Sequence, residues 1–154
     1  MNDERELPST TRVAAYAIVV DAARQLLLVR LAPGYSDVGQ WTLPGGGLNF
    51  GEAPAAGALR ELDEETGLTG VVEQVAFVTS WTRGPLPERG WGAFYAIQIV
   101  FRVRVTGGAI RHEVDESTDM AAWIPLSDVR ATPIVPLVTE ALDYLEAAAG
   151  ALPD

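Results

Sequence analysis

Three glutamates, Glu61, Glu64 and Glu65, stand close together in a segment that reads as helix. The run from Ala55 to Thr66 is rich in Ala, Leu and Glu, residues that favour helix. Pro54 suits a first turn, where its missing N–H costs nothing. Gly67 suits the left-handed position just past the end. At about 100° per residue, Ala55, Leu59, Leu62 and Thr66 fall on one side, which must face a core. The three glutamates fall nearly opposite. Glu61 and Glu65 are four apart, with Cβ atoms roughly 6 Å from each other. Such carboxylates repel one another, and Glu64 and Glu65 also lie where the helix dipole disfavours anions. The arrangement is poor for an inert surface and good for a divalent cation. Mg²⁺ takes hard oxygen ligands and keeps positions for water and phosphate oxygens.

The neighbours of the glutamates fit the same chemistry. Arg60 lies four residues before Glu64 and can hold that carboxylate in place. Gly57 lies four before Glu61 and leaves room on the acidic side. Asp63 points away and is expected to be solvated, not a ligand. Gly45, Gly46 and Gly47 follow a short strand, Trp41–Leu43, and Pro44. Glycines let the backbone approach a phosphate or a metal closely. Glu52 stands at the junction of loop and helix, near enough to join the cluster.

Taken together, Gly46, Glu52, Arg60, Glu61, Leu62, Glu64, Glu65, Gly67 and Leu68 occupy every specified position of a pattern that resembles the Nudix box, G-x5-E-x7-R-E-U-x-E-E-x-G-U. The resemblance implies an α/β/α sandwich with a mixed β-sheet between helices. It also implies hydrolysis of a pyrophosphate bond in a nucleoside diphosphate derivative by an activated water, with Mg²⁺ or Mn²⁺. NTPs and dNTPs, oxidised nucleotides, ADP-ribose and nucleotide sugars all qualify as substrates. The alternative is a non-catalytic module that senses nucleotides, although such domains often lose box glutamates and this chain keeps them. The family's ligand set maps onto Glu61, Glu64 and Glu65, with Glu52 as an outer ligand or helper and the Gly46 carbonyl completing the site. Many members add an acid from a later loop, as ligand or general base. Here that loop is His112–Asp119. Glu116 is the first choice, with Glu113, Asp115 and Asp119 as rivals.

Candidate substrate contacts are Arg60, Gly45, Gly47, Trp81 and Arg83. Trp81, Trp91, Phe94 and Tyr95 flank the loop 83–90, and Tyr35 and Phe50 lie in other loops. An aromatic ring in such a place can stack on a base, but for each one singly core packing is the more ordinary role. Arg83 and Arg89 can hold a phosphate or serve as surface charge.

The elements that must position these residues are legible in outline. Residues 1–10 read as a mobile acidic tail and 11–150 as one domain. Val13–Val20 and Gln25–Leu31 read as a hairpin. Val71–Thr82 and Trp91–Val105 read as long strands separated by a Pro- and Gly-rich loop. Ala121–Ile124 is a short strand, and Ile134–Ala149 an amphipathic helix.

The 154 residues suffice for one domain with a real core. The formal net charge of −10 gives no general attraction for nucleic-acid duplexes and calls for cations beside a polyphosphate. With no cysteine, thiolate catalysis and Cys-based zinc sites are excluded. The single histidine, His112, excludes a multi-histidine site. No apolar run is long enough to span a membrane, and the N-terminus carries no apolar signal core. A cytoplasmic location is the default expectation, and a homodimer stays open.

Overall fold

A computed structural model describes residues 6–33, 38–112 and 117–150. The elements in chain order are β1 (Thr10–Ile18), β2 (Gln25–Leu31), β3 (Trp41–Thr42), β4 (Gly45–Gly47), α1 (Pro54–Thr66), β5 (Leu68–Arg83), β6 (Phe94–Gly108), β7 (Thr118–Pro125), α2 (Leu126–Val129) and α3 (Pro136–Gly150). A single 3₁₀ turn, Pro87–Arg89, interrupts the connection from β5 to β6. Of the expected N-terminal tail, residues 1–5 lie outside the described residues. Pro8 lies against Gly92, where a Cβ would strike the Pro8 carbonyl.

The strands form two sheets. One is mixed and four-stranded, in the order β4-β1-β6-β5, and the other has the order β3-β2-β7. β1 runs parallel to β6, from Thr10 beside Phe94 to Ile18 beside Arg102. This corrects the expected hairpin. β1 and β2 share only a bridge between Val20 and Leu26, and Asp21 closes the turn by accepting the Gln25 N–H at 2.8 Å. Beyond it the strands part. β2 takes β7 as its antiparallel partner, and β1 is left free for β4 and β6.

Alternation along β1 explains the layering. Successive side chains of a strand point to opposite faces. Ala15, Ala17 and Val19 pack with Leu27, Phe101 and Val103 against Ala58 and Leu62 of α1. Ile18 packs with Leu26, Leu28 and Val100 against Val138 and Leu142 of α3. The strands thus lie between two helices, an α/β/α sandwich. α3 is also tied to β5 by polar contacts. Thr79 donates to Glu140 at 2.9 Å, and Gln74 donates to the Tyr144 hydroxyl at 3.0 Å.

The three glycines are a strand rather than a loop. β4 pairs antiparallel with β1, with Gly45, Gly46 and Gly47 opposite Tyr16, Ala15 and Ala14. β5 is longer than expected and carries three bulges against β6. Among the described residues no helix is long and apolar enough to cross a membrane.

Candidate active site

α1 is held at both ends. Pro54 occupies the first turn, and Gly67 adopts φ 79° as its N–H donates to the Asp63 carbonyl. The Arg111 guanidinium donates to the carbonyls of Asp63 and Glu64 at 2.7 and 3.2 Å. It therefore satisfies the last turn and sets a positive charge at the negative end of the dipole.

The helix is rolled relative to the sequence expectation. Gly57, Ala58, Leu62, Glu65 and Thr66 are its buried residues. Glu65 is only 3 % exposed, so the acidic side is not opposite the core but borders it. The cause is β4. Its glycines present backbone in place of side chains, and Glu65 turns in to accept the Gly45 N–H at 2.9 Å. Glu61 lies against Gly46, where a Cβ would stand 2.9 Å from a carboxylate oxygen. Asp63 points away as expected, beside Arg111 at 3.6 Å.

Arg60 is the hub of the remaining acids. It grips Glu52 with two hydrogen bonds of 2.7 and 2.9 Å and reaches Glu61 at 3.0 Å and Glu64 at 3.2 Å. It also donates to the Gly47 carbonyl at 3.3 Å. The Arg60 guanidinium and the Asn49 N–H hold the Glu52 carboxyl down at about 2, and Glu52 in turn pushes Arg60 further above its usual value. The structure therefore places Arg60 among the carboxylates. Gly57 makes room for this arrangement, since a Cβ there would meet the Leu48 side chain and, at 2.9 Å, the Glu52 carboxylate.

Glu61, Glu65, Gly45 and Gly46 line a cleft of about 680 Å³. Its other walls include Arg12, Tyr16, Thr79, Trp81, Gln98 and Glu140. Trp81 is half-exposed there. Sequence reasoning named Trp81 but missed Arg12, Tyr16, Gln98 and Glu140. A signal existed for Gln98, a lone amide in the apolar run Ala96–Phe101. Tyr16 hydrogen-bonds Gln98, and burial pushes its hydroxyl upward. Arg12 lies over Gly47, where a Cβ would stand 2.6 Å from its Nε. No described carboxylate forms an ion pair with Arg12.

Two further candidates stand outside the acidic end of the cleft. Arg83 does not line this cleft. It is stacked on Trp91 and Phe94, 5.5 Å from each ring centroid, and donates to the Gly84 and Gly92 carbonyls. Asp119 accepts two hydrogen bonds from Arg30, at 2.8 and 3.2 Å, so it is already engaged between β2 and β7. Glu113, Asp115, Glu116 and Tyr35 lie outside the described residues. The ends of that acidic loop are fixed. The Arg111 N–H donates to Thr66, and His112 Nδ1 accepts the Ala121 N–H at 3.1 Å. At its exit the Ser117 carbonyl accepts from Ala32, and Ser117 and Thr118 line the cleft.

The donor set suits a hard divalent ion. Glu61 and Glu65 offer carboxylate oxygens beside the Gly45–Gly46 backbone, in a gap that any Cβ on Gly46 would close. Among the described residues no three acids converge into a closed cage. Mg²⁺ is commonly bound through one or two carboxylates plus water and substrate phosphate.

The profile of the NUDIX domain matches residues 10–145. The chain belongs to the NUDIX family. A MutT-like protein of Streptomyces ambofaciens is 32 % identical over 146 residues, covering 94 % of this chain and 84 % of its own. An RNA pyrophosphohydrolase of Acidiphilium cryptum is 38 % identical over 87 residues, 56 % of this chain and 52 % of its own length. A solved NUDIX hydrolase from Nitrosomonas europaea shares the fold, with a TM-score of 0.73, 22 % identity and 90 % of each chain covered. In Nudix terms, the box spans β4, the loop after it, α1 and the first residue of β5. This chain is a hydrolase of the Nudix type.

Proposed function

We propose that the chain hydrolyses the pyrophosphate bond of a nucleoside diphosphate derivative within the cleft of Glu61, Glu65 and Trp81. The observation that supports this reading is the cleft's composition. Glu61, Glu65 and bare glycine backbone line the same cleft as a half-exposed indole, so one molecule can place phosphates on the first group and a base on the second. Glu61 and Glu65, with the Gly46 carbonyl, would hold a Mg²⁺ or Mn²⁺ ion. When bound, such an ion neutralises phosphate oxygens and makes water a better nucleophile.

The chain's own groups supply the rest. Arg60 keeps Glu52 ionised and holds Glu64 in place. Arg12 offers a cation to a phosphate that Glu61 and Glu65 alone would repel. Trp81 stacks on the base, and Gln98 with Tyr16 forms the polar floor. A water oxygen bonds to phosphorus as the bridging P–O bond breaks, and the bridging oxygen leaves on the departing phosphate group. Glu116 is the proposed acceptor of the water's proton, because Ser117 and Thr118 beside it line the same cleft.

The test is phosphate or pyrophosphate release with Mg²⁺ or Mn²⁺ across nucleoside triphosphates, oxidised nucleotides, ADP-ribose, nucleotide sugars and 5′-triphosphorylated oligonucleotides. Turnover of at least one, abolished by EDTA and by Glu65→Gln, is the expected result. Tight binding across the panel with no release would overturn it in favour of a nucleotide sensor.

A further inference from the structure

A second cavity of about 400 Å³ lies beside the cleft, and Phe94 in its wall packs against Trp81 of the cleft. Arg83, Trp91 and Phe94 line it, and none of its lining residues is acidic. That is notable in a chain with 21 acids and 11 arginines and lysines. Its rings and cations form a continuous ladder. Trp81, on the cleft side, lies 5.3 Å from Phe94. Phe94 lies 5.5 Å from the Arg83 guanidinium, which lies 5.5 Å from Trp91. Arg89 completes it, 5.2 Å from Trp91. Trp91 is 49 % exposed.

We infer that this cavity is a subsite for the phosphodiester and base that follow the first nucleotide of a single-stranded substrate. The inference rests on the proposed hydrolysis in the cleft. Two guanidiniums suit a phosphodiester, and an exposed indole beside them suits a base. Basic groups interleaved with aromatic rings are how single strands are held without sequence readout. A mononucleotide fills the cleft as far as Trp81 and leaves the ladder unused. A strand whose first base stacks on Trp81 continues directly onto it. The overall negative charge works against duplexes, while the charged side chain in the wall of this cavity is the cationic Arg83.

A purely structural role for the ladder is the competing account, since Arg83 also pins its loop through the Gly84 and Gly92 carbonyls. Substrate length separates the two. The experiment compares kcat/KM for a nucleoside 5′-triphosphate with that for a 5′-triphosphorylated trinucleotide bearing the same first nucleotide, in the parent and in Trp91→Ala. The expected result is an advantage of about tenfold for the trinucleotide, lost in Trp91→Ala. No length advantage, or an equal loss on both substrates, overturns the inference. In parallel, a trinucleotide with a 5′-hydroxyl is titrated by tryptophan fluorescence, so that the subsite is tested even if neither substrate is cleaved. Binding weakened about tenfold by Trp91→Ala supports the subsite, and no binding overturns it.

Discussion

Glu65 and Arg60 divide the labour of the acidic cluster between them. Glu65 is buried but already accepts a backbone N–H, so Glu65→Gln keeps a hydrogen-bond acceptor while losing the charge. Turnover should fall by at least about a hundredfold, with the metal-free melting temperature unchanged or slightly raised, as measured by steady-state assay and thermal denaturation. Arg60→Gln should do the reverse to stability. It leaves Glu52, Glu61 and Glu64 facing one another without their shared cation, so the metal-free protein melts lower, and added Mg²⁺ recovers more stability than in the parent. A second test at this scale is Glu116→Gln. Loss of a general base costs about two to four orders of magnitude in rate, so kcat should drop far more than KM rises. Asp119→Asn is the control, with near-parental kcat. The box residues were legible in the sequence because each carries its own chemistry. The inward roll of Glu65 was not. It depends on what packs opposite, and helical spacing alone assigns a carboxylate to water.

At the scale of elements, α1 depends on what lies beneath it. Leu62 is fully buried among Ala15, Ala17 and Phe101. Leu62→Ala should cost about 2–5 kcal/mol by denaturant titration, and activity should fall with it, because Glu61 and Glu65 ride on the same turn. The Arg30–Asp119 pair joins β2 to β7 and holds the Asp119 carboxyl below its ordinary value. Its contribution is complete above the unfolded carboxyl's pKa and disappears as pH falls through the lower folded value. Asp119→Asn should therefore melt about one or two degrees lower at neutral pH, with the gap closing in acid. The strands themselves were readable from β-branched runs. Their partners were not. Val13–Val20 and Gln25–Leu31 flank a turn and suggest a hairpin, yet β1 has a better partner in β6, far along the chain. Gly45–Gly47 carries no strand propensity, and only its pairing with β1 makes it one.

Across the whole molecule, the excess of acid and the open carboxylate end of the cleft act together. A divalent ion that binds only the folded chain stabilises it by mass action, about 2.7 kcal/mol at a hundred times its dissociation constant. Thermal melting in Mg²⁺ should show this rise, and Glu65→Gln should flatten it. The parallel pairing of β1 with β6 has a further consequence, for the time course of folding. Gly45 and Gly46 are placed by β1, and β1 has β6 as its other neighbour, so neither sheet nor cleft is complete until Phe94–Gly108 has been made. Such distant pairing is slow to form. On the ribosome, α1 can coil early, but its glutamates have no floor beneath them until most of the polypeptide has emerged. A chain halted after β5 would carry the whole Nudix box and still be unable to hydrolyse anything.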